Sequence, residues 1–199
     1  MNTSAQFSRS IADRPGLYVV RKETQQRSAS LISPAAAYEF NAGRIPELRD
    51  TCMKLYRLFS AAGVSQSAIH AIPVLRSMDQ INPVALQRFL ENPKTSHTLV
   101  NNSIMKIVLI KWPKGKLSSV HGHPKGGCMF KVLSGKVEEL RYSPDASRKL
   151  MSAKTYHAGS MSYIDDETAF HAVGNPYDQT AVSLHVYTYS DRANTLPEA

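Results

Sequence analysis

The hydrophobic period of this chain changes near residue 100, and that change constrains the fold more than any other feature. Ahead of it, apolar residues recur at helical spacing. Leu48, Cys52, Leu55 and Phe59 share one face of a helix expected over 46–62. Pro46 and Glu47 suit its first turn, and Gly63 its stop. A second helix is expected over 65–78, capped by Ser65 and kinked or shortened by Pro73. A third is expected over 84–91, after an Asn82–Pro83 start signal. Farther upstream, 17–21 reads as a short strand and 34–40 as a helical turn. Beyond residue 100, short apolar segments are separated by Gly, Pro, Asp and Asn. Strands are expected over 105–110, 137–142, 154–157, 162–164 and 181–189, while 128–133 alternates less cleanly. Short strands without intervening helices predict a sandwich or barrel. The expected organisation is a mainly helical region, 1–99, packed on an all-β barrel, 100–199, as one compact domain.

The 199 residues suffice for one core of that kind. Lys and Arg number 24 against 16 acidic residues, a net charge of +8. The excess is spread through Lys106, Lys111, Lys114, Lys116, Lys125, Lys131 and Lys136 among apolar residues. It forms no compact basic run, so nucleic acid is not an expected partner. A small anionic substrate and plain solubility both account for the charge. No apolar window reaches the roughly 18 residues of a membrane span. Residues 1–16 lack the apolar stretch of a secretory signal, and Cys52 and Cys128 suggest no disulfide framework. The expectation is a cytoplasmic monomer.

His121 and His123 are separated by one residue, so on a strand their imidazoles point to the same side. His171 must come from another strand, and a closed barrel would bring it to them. Three imidazoles suit iron, zinc, copper or nickel better than magnesium or calcium, and they leave coordination positions open, as in a catalytic site. Taken alone, the pair also fits two polar residues on an exposed strand. In 181–189, Val182, Leu184 and Val186 fall on one face and Ser183, His185 and Tyr187 on the other. A hydroxyl, an imidazole and a phenol in a row can orient one another. They also fit separate polar residues facing solvent. Cys128 fits a small buried apolar residue or a fourth metal ligand. Asp165, Asp166 and Glu167 form an acidic turn, suited to accept from a ligand imidazole or simply to be solvated.

The spacing G-x5-H-x-H-x4-C-x6-G from Gly115 to Gly135, and H-x3-N from His171, resemble the two motifs of the cupin superfamily. Cys128 stands where most cupins carry a glutamate ligand, and Asp166 and Thr168 replace the usual proline and glycine. The segments SSVHGHPKGGCMFKVLSG, DDETAFHAVGN and AVSLHVYTYS resemble the cysteine dioxygenase type I family over roughly the C-terminal half of the chain. That resemblance implies a cupin (jelly-roll) β-barrel with a helical N-terminal region. It implies Fe(2+) held by His121, His123 and His171. It implies a thioether between Cys128 and Tyr187, with Ser183 and His185 as the relay behind the tyrosine. The implied reaction converts L-cysteine to its sulfinate with O2, so the partners are a small anionic thiol and dioxygen. One position departs from the family. In SHTLVNNS, Leu99 falls where the family's arginine clamps the cysteine carboxylate. Arg88, Arg76 and Arg192 are substitutes by charge alone. The alternatives are a dioxygenase for 3-mercaptopropionate, a zinc or nickel cupin of other activity, and a non-catalytic metal-binding cupin. A thiol sensor would need an exposed Cys128 with a lowered pKa.

Overall fold

A computed structural model describes residues 45–61, 66–78 and 80–189 of the chain. The expected elements at 17–21 and 34–40, together with Gly63, Ser65 and Arg192, lie outside the described residues. Helix α1, Pro46–Ser60, buries Leu48, Cys52, Leu55 and Phe59 completely. Each of the leucine and phenylalanine side chains contributes about 1.5–3 kcal/mol by leaving water. The second expected helix is divided. A 3-10 turn, Ala68–Ala71, is capped by Ser67 and leads into a short α2, Ile72–Arg76. Pro73 has no N–H to continue an α-helical ladder through this point, so the turn ends tightly, with the Ile72 N–H bonded to Ile69 O. Helix α3, Pro83–Glu91, starts with the Asn82 side chain accepting from Val84 N at 2.8 Å. No described helix is long and apolar enough to cross a membrane.

The strands are β1 Ser96–Asn101, β2 Met105–Trp112, β3 Cys128–Ser134, β4 Lys136–Tyr142, β5 Leu150–His157, β6 Met161–Ile164, β7 Phe170–Gly174 and β8 Ala181–Thr188. One sheet runs β1-β2-β8-β3-β6 and the other β5-β4-β7. All the paired strands are antiparallel. Single bridges, Leu117 to Gly174 and His121 to His171, lay the segment after β2 along the free edge of β7. Two strands escape a periodicity reading. β1 carries a register shift between Thr98 and Val100, and β7 is buried at four successive positions, so neither alternates. The expected boundary at residue 100 falls inside β1. Cys128 is the first residue of β3.

The five-stranded sheet has two unlike faces. Its outer face, with Leu99, Ile107, Leu109, Met129, Val182, Leu184 and Val186, packs on the helices. Lys111 and Lys131 also lie on this side. Lys111 Nζ donates to Leu90 O and Asn92 O at the end of α3, and Lys131 Nζ to Leu75 O in α2. An ammonium at a helix C-terminus satisfies carbonyls that the helix cannot. The inner face, with Trp112, Phe130 and Val132, meets Val137, Tyr156 and Val173 of the other sheet.

Candidate active site

His121 and His171 are direct partners: each backbone N–H donates to the other's carbonyl, at 2.9 and 3.2 Å. Side chains directly opposite in such a pair share a face. Their rings lie 4.7 Å apart, and that of His123 lies 4.6 Å from His171. His123 reaches the same point without a strand, because residues beyond the His121 bridge are in loop. Its backbone N–H is held by Asp166 Oδ1 at 2.5 Å. Gly122 between them lets the Asp166 carboxylate approach closely, since a Cβ there would displace that carboxylate and lie 2.8 Å from the Phe170 ring. Among the described residues this trio is the one group able to hold a metal ion, with ligand atoms within 4.8 Å of one another.

The donor set fits a divalent transition ion. His121 Nδ1 lies 2.9 Å from Ser119 O and donates to it, which leaves Nε2 as the lone-pair nitrogen. His171 Nδ1 lies 2.7 Å from Glu139 Oε1, with the same consequence. The Nε2 atoms of His123 and His171 are 3.0 Å apart, the spacing of neighbouring ligands whose metal bonds are about 2.1 Å. Burial lowers the pKa of His121, and burial with the adjacent imidazoles lowers that of His123 to about 3. Neutral rings are what a metal requires.

Glu139, 1% exposed, is the charge behind the site, and sequence reasoning passed over it. It lies diagonally across the ladder from His171, whose direct partner is Arg141. Its Oε2 accepts from Arg141 Nε at 3.0 Å and Ser162 Oγ at 2.9 Å. Burial pushes this carboxyl up. The hydrogen bonds from His171 and Arg141 outweigh it, and with the Arg141 charge they hold the pKa at about 2. The signal in the sequence was an acid in phase with inward Val137. The acidic turn that was singled out does less for the rings. Asp166 positions the His123 backbone, and Asp165 ties down its own turn through Thr168 and Tyr163.

Ser183, His185 and Tyr187 all project from the inner face of β8. Trp112 Nε1–H can only donate, and it does so to Ser183 Oγ at 2.7 Å. The Ser183 hydroxyl therefore points its proton at His185 Nε2, 2.8 Å away. That places the imidazole proton on Nδ1, facing Cys128 Sγ at 3.9 Å. Burial drives the His185 pKa down to about 3, so the ring is neutral. Cys128 and Tyr187 are cross-strand partners. Burial raises both of their pKa values, so thiol and phenol keep their protons. The Tyr187 ring stacks 6.3 Å from that of His123. Cys128 is neither exposed nor a member of the metal-binding group, which removes the sensor and fourth-ligand readings.

A model of the family described as cysteine dioxygenase type I matches residues 43–191. The chain belongs to that family. It is a thiol dioxygenase, an oxidoreductase on a cupin barrel. The rat cysteine dioxygenase type 1 is 29% identical over 150 residues, covering 71% of this chain and 74% of the rat protein. The zebrafish protein of the same name is 28% identical over 153 residues, with the same coverage of each chain. Among solved structures, a cupin 2 conserved barrel domain protein from Salinispora arenicola is similar over 47% of this chain and 73% of its own, at 21% identity and a TM-score of 0.38.

The carboxylate candidates fall away from the dioxygenase centre. Arg88 is exposed on α3 and Arg76 at the end of α2, both on helices that cover the outer face. Leu99 is buried on that face too. With Arg88 and Phe89 it lines a cavity of about 300 Å³ separated from the histidines by the sheet. The position that departs from the family pattern therefore packs against helices.

Proposed function

We propose that this thiol dioxygenase uses Fe(2+) and converts L-cysteine to cysteine sulfinate. One observation carries the reading: three imidazoles converge without a carboxylate ligand, and a protonated phenol on the facing sheet stacks on one of them. His121, His123 and His171 hold the ion, and Glu139 fixes the orientation of His171. Bound iron supplies coordination of the substrate sulfur and electron transfer toward dioxygen. In the reaction, RSH + O2 gives RSO2H. Both oxygen atoms end on sulfur, which loses the four electrons that dioxygen gains, so no reductant enters. Tyr187 keeps its proton and serves as a hydrogen-bond donor to the reacting groups. Cys128 and Tyr187 are placed for a thioether, in which S–H and ring C–H bonds are lost, an S–C bond forms, and dioxygen takes the two electrons. The substrate partners are a small anionic thiol and O2, and the proposed setting is a cytoplasmic monomer.

The test is oxygen uptake by anaerobically iron-loaded protein given L-cysteine, with the product weighed by mass spectrometry. One O2 consumed per sulfinate is expected. Stoichiometric iron without uptake on L-cysteine overturns the substrate assignment, and loss of two hydrogens from the intact protein reports the thioether.

A further inference from the structure

Several lysines near the barrel are engaged. Lys111 and Lys131 cap helices, Lys114 pairs with Asp178, and Lys136 and Lys154 lie over the rings of Tyr177 and Tyr156. Arg141 is bound to Glu139 and Arg148 to backbone carbonyls of its own turn. Lys106 is different. It lies near the start of β2, directly opposite Tyr187 on β8. Direct partners project from the same face with Cβ atoms about 4.5–5.5 Å apart. One row of the inner face therefore reads Asn101, Lys106, Tyr187, Cys128, Ile164. Lys106 is half-buried and its side chain, among the described residues, makes no hydrogen bond or ion pair. Ammonium groups are seldom withdrawn from water without a counter-charge.

We infer that Lys106 binds the carboxylate of the substrate, beside Tyr187, in the role that Leu99 cannot fill from the outer face. The inference rests on the thiol reading above. It gives the substrate two anchors: sulfur at the histidine trio and carboxylate at Lys106, with the phenol alongside. A lysine is a mobile point charge rather than a rigid fork, so it recognises an anion at the right reach without fixing its orientation. L-cysteine and 3-mercaptopropionate carry sulfur and carboxylate at the same separation, so both satisfy this pair of anchors. Cysteamine, which lacks the carboxylate, does not.

Anaerobic titration calorimetry separates this inference from its premise, because no turnover occurs. Iron-loaded wild type, Lys106→Met, Lys106→Arg and Lys125→Met are each titrated with L-cysteine, 3-mercaptopropionate and cysteamine. Iron content and melting midpoint serve as controls for folding. Lys106→Met is expected to weaken both acids by about 10- to 100-fold, the range for one charged hydrogen bond, and cysteamine by less than about twofold. Lys106→Arg should recover most of the loss, and Lys125→Met, on the exposed turn after His123, should match wild type. Equal acid binding by Lys106→Met and wild type overturns the inference, as does an equal loss for cysteamine. Wild type that binds none of the three thiols overturns the thiol reading itself, and this inference with it.

Discussion

The two faces of β8 come from the same eight residues and do opposite work. Val182, Leu184 and Val186 are wholly buried against helices, where shape and volume are what matter. Ser183 and His185 are buried as deeply and Tyr187 is half-buried, yet Ser183 and His185 are hydrogen-bonded on the inner face and Tyr187 lies directly across from Cys128. Burial by itself therefore does not distinguish scaffold from chemistry here. Partnership does, since a buried polar group without a partner costs on the order of 1–3 kcal/mol.

The comparison can be broken most severely at the ligands. His171→Ala should abolish stoichiometric iron binding and lower activity by about a thousandfold or more, with circular dichroism and cooperative melting retained. Iron content unchanged in that variant would remove His171 from the ligand set. On the outer face, Leu184→Ala should cost about 2–5 kcal/mol of stability by denaturant titration. Its iron content per folded molecule should stay at the wild-type level, and a parallel loss of iron would show that the two faces are not independent. Glu139→Gln sharpens the contrast from inside the barrel. The amide keeps the shape but loses the charge, and iron affinity measured by chelator competition should fall about 10- to 100-fold. The smallest effect is expected from Trp112→Phe. It removes the donor to Ser183 at a cost of about 1 kcal/mol, with turnover reduced only a few-fold. A loss as large as that of Glu139→Gln would mean that the indole does more than orient the hydroxyl.

Legibility in the sequence followed the same division. The alternation in β8 and the helical spacing of α1 were readable because each depends on a period that a single segment carries in full. β1 was not readable, since its bulge at Leu99 breaks the period, and β7 was not, since both of its faces are buried. The histidine trio was recognised, although for His121 and His123 the strand argument reached the right neighbourhood by the wrong backbone. One bridge and one hydrogen bond to Asp166 place them instead. Arg88 and Arg76 were chosen by charge, and charge carries no information about which side of a sheet a helix covers.

By itself the sequence determined what β8 has on its two faces and which chemical groups were on offer, because side-chain alternation is a local property of a regular extended chain. Only the tertiary structure decided which nitrogen of His121 and of His171 is left for a metal and why Glu139 stays ionised. It likewise set Cys128 and Lys106 on either side of Tyr187 and put Leu99 on the far face. Those outcomes depend on the register between strands distant in sequence, and a shift of one residue there would exchange every inner side chain for an outer one.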